Sequence, residues 1–443
     1  MSNLQLGYGR VDITPTFSVS LTGYGNDALR FSENVLDPIF ATCLAFTDET
    51  GETALVYAMD AMYAGGWMRE PVSKAVGVPS DHINFSASHS HATPGNWPEL
   101  EYPGNKEYLL GTFIEGIIEA AKIALADRKP AQMFITDRQV LGLNFVRHYL
   151  TEDGTYCGPN FGNNKLKMVA HESEADHQLQ LVKFVREGGK DVLVCNFQGH
   201  QTFTGGMNKT DISADFCGVV RQELEQALDC HVAYFSGASG NVNCLSKIPG
   251  EQRLEKPTYI TMGKALAGDV LEVMDTFRPV ATGRVQTCQL PLDVDVNHSL
   301  DHLKDIAEGI SAEWKATGDR VKCNEMCHAV GLNSVYHAES VLDKLALGKT
   351  LDIQLNVVSI GDVAFAMVPY EMFDTNGMQL KERSPYKMTV IATCSNDVRS
   401  YIPSALGFEH GGYSVDRCRF VPGTGERMVD EFVGMLTKLK END

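Results

Sequence analysis

The chain has 443 residues, with 38 Lys and Arg against 57 Asp and Glu, a net charge of −19. That length buries a large core and excludes a metal-stapled miniature scaffold, while a surface so acidic repels phosphate backbones, so no nucleic acid is expected as a partner. With 43% apolar and 21% charged residues the composition is that of a globular protein, not a disordered one.

In chain order, apolar runs rich in Val, Ile and Phe predict strands over 53–59, 83–87, 192–197, 232–235, 363–368 and 389–393. Gly188-Gly189 and Gly361-Asp362 supply turn chemistry for two hairpins. Residues 108–126 carry Leu110, Phe113, Ile114, Ile117, Ile118 and Ala121 at helical spacing, one apolar stripe for packing on a sheet; 426–439 repeats the pattern with Met428, Phe432, Met435 and Leu439. Residues 298–350, rich in charge and helix formers, predict a helical excursion, read as a solvated helical pair that shields a sheet edge rather than as a lid. The expected fold class is α/β, mixed β-sheets with flanking helices. No linker or internal repeat marks a boundary, so residues 1–443 read as a single domain.

Eleven scattered cysteines, an odd number, argue for reduced thiols. The N-terminus lacks a basic stretch and an apolar core, and no run of about 18 apolar residues occurs, so a cytoplasmic location and no membrane anchor are expected. Cys323, Cys327 and His328 lie close together, but no second pair stands at finger spacing, and buried apolar-like thiols are the expectation there.

Chemistry-bearing residues collect just past predicted strand ends. The run Ile83 to Ala87 leads to His89 and His91, whose imidazoles share one face if the extended conformation persists. The run 192–197 leads to His200, 363–368 to Glu371, and 389–393 through Asn396 to Tyr401. Singly, each has a plain reading as a satisfied core histidine, a surface glutamate or a packed tyrosine. Together they resemble sites that α/β enzymes build on loops leaving strand ends. Two histidines and a carboxylate also meet the needs of a catalytic zinc with one position open. There is no His-Glu-x-x-His, P-loop, dinucleotide fingerprint or nucleophile elbow, and the Gly237–Asn241 loop lacks the lysine of a phosphate cradle.

The motifs, in this order, resemble the neutral ceramidase family. Those that carry the resemblance are Gly7-Tyr8-Gly9-Arg10-Val11-Asp12-Ile13-Thr14-Pro15, Gly23-Tyr24-Gly25, Asp37-Pro38, Asp60, the Ser88 to Gly95 segment Ser-x-His-x-His-x-x-Pro-Gly and Asn196-Phe197-x-x-His200. Glu371 with Gly377 and Leu380–Pro385, Asn396–Tyr401 and Gly412-Tyr413 complete them. The resemblance implies the family's N-terminal-domain fold and a zinc held by His89, His200, Glu371 and Tyr401, with His91 and Tyr413 facing the reacting carbonyl. Tyr401 as a ligand rests on the family alone. Three departures stand out. The family's Gly-Asp-Val-Ser-Pro-Asn stretch reads Gly240-Asn241-Val242-Asn243-Cys244-Leu245, with Asn243 in place of the serine; Arg147 comes two residues late after Asn144 for the family's substrate-contacting arginine; and the family's C-terminal β-sandwich has no counterpart. The expected activity is zinc-dependent hydrolysis of an amide or related acyl bond in a small soluble substrate, with water attacking and Asn243 orienting water or substrate. Hydrolysis of N-acyl sphingoid lipids and a non-catalytic metal- or ligand-binding role are the alternatives. The oligomeric state stays open, a homo-oligomer included.

Overall fold

The computed structural model describes residues 4–25, 27–158, 166–397 and 400–442. Met1–Asn3, and Val398 and Arg399 within the Asn396–Tyr401 segment, lie outside the described residues. Among those described, the larger sheet has nine strands, in spatial order His231–Ser236, Val192–Phe197, Gln178–Arg186, Lys129–Gln139, Gln5–Asp12, Phe40–Thr47, Thr53–Met59 and Ile83–Ala87, with Arg278–Val280 also paired to Lys129–Gln139. A second sheet has four: Val285–Asp295, Thr350–Ile360, Val363–Met367 and Met388–Ala392.

Side-chain alternation along the strands explains how the layers stack. In Thr53–Met59, Ala54, Val56 and Ala58 point into the core between the two sheets. Leu55, Tyr57 and Met59 point the other way, against the helix Ile114–Ala126. Both faces are buried, which is why this strand reads as a continuous apolar run rather than an alternating one. Between the sheets, Phe46, Ile135, Val194 and Phe235 meet Val358, Phe365, Met367 and Val390. Helices Asp215–Leu228 and Tyr259–Leu271 cover the rest of the large sheet's outer face, and Asp374–Arg383 and Thr424–Glu441 cover the small sheet. The result is helix, sheet, sheet, helix, an α/β fold with mixed sheets and flanking helices.

Three expectations need correction. Leu110 is 61% exposed instead of buried, because Leu109–Phe113 forms a π-helical turn whose extra residue rotates the apolar register. The strand entering the histidine pair stops at Ala87, and His89 itself has φ +68, so the two imidazoles are brought together by a loop and not by an extended run. The excursion consists of three helices, Lys304–Thr317, Arg320–His328 and Val335–Leu345, around their own small core, in which Cys323 and Cys327 are buried. It docks on residues 413–419 instead of shielding a sheet edge.

Within these two sheets, three pairs of described strands run parallel: Thr53–Met59 with Ile83–Ala87, Val192–Phe197 with His231–Ser236, and Val363–Met367 with Met388–Ala392. Their C-terminal ends meet because residues 393–396 bond to both edge strands of the large sheet. Thr393 N–H donates to Ser236 O at 3.0 Å, while Asn396 N–H donates to Phe85 O at 3.0 Å and Cys394 O accepts from Ala87 N–H at 3.3 Å.

Candidate active site

Loops leaving these strand ends carry His89, His91, His200, Glu371 and Tyr401 into one buried cluster. Among the described residues six non-glycine positions have positive φ, and four of them, His89, Tyr370, Cys394 and Asn396, lie in these loops. Such backbone is costly for an L residue and persists where the surroundings dictate it. Glu371–Met372 pairs in parallel with Tyr401–Ile402, with Glu371 opposite Tyr401. Gly240 lies against that strand: a Cβ there would meet Glu371 O at 2.3 Å, so only glycine permits the approach.

The histidine rings are fixed from behind. His89 Nδ1 lies 3.0 Å from Met62 O, and His200 Nδ1 lies 2.9 Å from Ser239 O. A carbonyl only accepts, so each Nδ1 carries the proton it donates and each ring turns Nε2 inward. Glu371 Oε2 lies 3.4 Å from His89 Nε2 and 3.2 Å from His200 Nε2. His91 completes the group, its ring centroid 4.9 Å from that of His89 and 5.3 Å from that of His200. The ligand atoms of the three histidines all lie within 4.8 Å of one another.

The donor set passes a chemical test for a metal. Buried His89 Nε2, His200 Nε2, both ring nitrogens of His91 and Glu371 Oε2 have no hydrogen-bond partner, a concentration of unsatisfied buried atoms that a bound ion would satisfy. Burial, reinforced by Arg147, lowers His200 to about 4, and burial with the charges of His89 and His200 lowers His91 well below the ordinary range, so both are neutral donors. Burial also pulls on His89, but Cys394 and Glu371 more than reverse it; Glu371 is held ionised against its own burial by the two histidines. Neutral imidazoles and a carboxylate suit zinc.

The other expected residues surround this cluster. Arg147 is buried, and one of its nitrogens, Nη2, donates to Gly240 O at 2.7 Å, Tyr401 Oη at 3.1 Å and Ser414 Oγ at 3.3 Å. Tyr413 packs its ring 6.0 Å from that of Tyr401. Asn243 bridges the backbone of His200, and its side-chain oxygen accepts from Cys244 N–H at 2.8 Å. Ser239 turns its hydroxyl toward Ser236 at 3.5 Å and contributes its carbonyl to His200 instead.

Three residues were missed. Cys394 Sγ lies 3.5 Å from His89 Nδ1, Tyr63 stands edge-on to His89 with centroids 6.2 Å apart, and Tyr24 stands 5.1 Å from His91. Cys394 and Tyr63 follow strand ends at Ala392 and Met59, and Tyr24 sits between Gly23 and Gly25, so the strand-end pattern that found the histidines applied to the first two as well.

Comparison with known proteins bears on what this arrangement is. Neutral ceramidase from Pseudomonas aeruginosa aligns over 100% of this chain and 75% of its own, with a TM-score of 0.74 and 17% identity. A ceramidase complexed with C2 aligns over 100% of this chain and 76% of its own, with a TM-score of 0.73 and 16% identity. Likeness at that identity is a likeness of fold. No curated protein matches the chain. The model of the neutral/alkaline non-lysosomal ceramidase N-terminal region, however, matches residues 4–248, more than half of the 443, and the chain therefore belongs to that family.

Proposed function

We propose that this chain is a zinc-dependent hydrolase that cleaves an amide or related acyl bond in a small soluble substrate. The observation that carries this reading is the convergence of His89, His91, His200 and Glu371, each with a buried polar atom that no hydrogen bond satisfies. His89, His200, Glu371 and Tyr401 would hold the ion. Bound zinc would supply Lewis acidity toward the carbonyl oxygen and lower the pKa of water toward neutrality.

The chain's own residues do the rest. His91, neutral and without a hydrogen-bond partner at either ring nitrogen, accepts a proton from the attacking water and returns it to the leaving amine. Tyr413, whose phenol burial keeps protonated, donates to the oxygen that becomes negative in the transition state. Arg147 holds Tyr401 and, through Ser414, the base of the Tyr413 turn. Asn243, beside His200, orients water or substrate. A cytoplasmic setting accords with cysteines that form no disulfide among the described residues. No described helix is long and apolar enough to cross a membrane.

The family supports a second reading, an N-acyl sphingoid lipid as substrate. The charge of −19 weighs against it, since anionic lipid surfaces repel such a chain. A panel of short N-acyl amides, esters and lactones, run beside a long-chain ceramide in detergent, separates these readings. Chelator-sensitive turnover of the short amides is expected. Faster turnover of the long-chain ceramide would favour the lipid reading, and bound zinc with no turnover of anything would leave a binding protein.

A further inference from the structure

The three-helix excursion does not stand apart from the site. Every contact it makes with residues 413–419 reaches the segment that carries Tyr413. The ring of Tyr336 stands at 87° to that of Tyr413, with centroids 6.1 Å apart. Asn333 Nδ2 donates to both carboxylate oxygens of Asp416, at 2.9 and 3.0 Å. Lys344 Nζ donates to Cys418 O at 3.2 Å, and Asp343 lies 3.5 Å from Arg419. On its opposite side the same turn meets Tyr401 and the Nη2 of Arg147.

The turn needs such an anchor. Tyr413–Asp416 is a single short helical turn entered through Gly411 and Gly412, both at positive φ and both with open space where a Cβ would be, so the chain leading into it is free to turn. Asp416 is 6% exposed and depends on a donor from the excursion. His337 does not supply it: its Nδ1 accepts from the Asn333 backbone N–H at 3.4 Å and therefore faces Asp416, 3.3 Å away, without a proton. Lys344 gives its ammonium to Cys418 O. The carboxamide of Asn333 is the group that fixes Asp416.

We propose that Asn333 is a positioning residue for Tyr413, and that the excursion is a working wall of the site. This rests on the hydrolase reading with Tyr413 as donor. By holding Asp416, Asn333 sets where the Tyr413 hydroxyl stands relative to Tyr401 and Arg147.

The test uses the full chain loaded with zinc at pH 8, with Asn333→Asp, Asn333→Ala and the swapped pair Asn333→Asp/Asp416→Asn. Amide exchange over 411–419 by mass spectrometry reports the clamp, and kcat and KM on a short N-acyl amide report the consequence. In Asn333→Asp two carboxylates face each other, so exchange rises about tenfold and kcat falls about ten- to a hundredfold, with KM and zinc content held. Asn333→Ala moves the same way by less. The swapped pair rebuilds a carboxylate with an amide donor and restores both readouts. Unchanged exchange, exchange that rises while kcat holds, or a swap that restores neither would overturn the proposal. A wild-type protein that hydrolyses no amide while exchange follows the expected pattern would refute the hydrolase reading and leave the clamp standing.

Discussion

His89 and His200 each commit Nδ1 to a backbone carbonyl, Met62 O and Ser239 O, and so present Nε2 inward. The residues behind a ligand thus decide which atom it offers. We propose that Arg147, bonded to Tyr401 and Ser414 but outside the ligand set, serves the chemistry and not the metal. In Arg147→Met protein, metal analysis is expected to find full zinc, while kcat on an amide falls about a hundredfold, the scale of one lost electrostatic contact in acyl transfer; loss of zinc would make Arg147 structural. At Gly240 the constraint is steric. A Cβ would meet Glu371 O at 2.3 Å, so Gly240→Ala must push the Glu371 strand away, and zinc affinity by chelator competition is expected to drop at least about tenfold. The histidines and Glu371 were legible as residues because they follow apolar runs directly. Arg147 rested on a family pattern shifted by two positions, and Cys394, although it too follows a strand end, was passed over because a cysteine there looks like any buried thiol.

Among the elements, the strands were read well and the connections less so. Apolar runs such as 53–59, 83–87 and 192–197 coincide with strands because burial on both faces demands continuous apolarity. The π-helical turn at Leu109–Phe113 left no signal, since one inserted residue in a helix leaves composition unchanged and only rotates the stripe. The excursion was visible as helical, but its docking surface is set by single residues, Asn333, Tyr336 and Lys344, which periodicity cannot reveal. Beneath the site the strand end at Asp60 is held by Arg221, whose nitrogens lie 2.8 and 3.1 Å from the carboxylate, both partners buried. Arg221→Met leaves that carboxylate unpaired. Denaturant unfolding is expected to show a loss of about 3–5 kcal/mol, and a loss under about 1 kcal/mol would mean the pair is replaceable.

At the scale of the whole molecule, four layers converge their loops on one end, so residues as distant in sequence as His89 and Tyr401 share a site. We propose on this ground that the chain acts as one catalytic unit. Acidity enters stability through Asp416. Burial pushes it up to about 7, far above the usual carboxylate range. Between about pH 4 and 7 the folded chain therefore holds a proton that the unfolded chain has released, so this group's contribution is fully present at about pH 4 and is lost as pH rises through 7. Asp416→Asn removes that dependence. Its stability relative to wild type is expected to rise by about 4 kcal/mol across the interval, measured by urea unfolding at several pH values; a difference independent of pH would contradict the assignment.

We propose above all that His89, His200, Glu371 and Tyr401 hold a zinc ion that serves the hydrolysis, with His91 beside it as the proton carrier. This claim is tested most directly by the zinc content of purified wild-type and His200→Ala protein, measured on the samples assayed against a short N-acyl amide. The expected result is one zinc per chain with turnover in the wild type and neither in the variant. A His200→Ala protein that keeps stoichiometric zinc and full activity would contradict it.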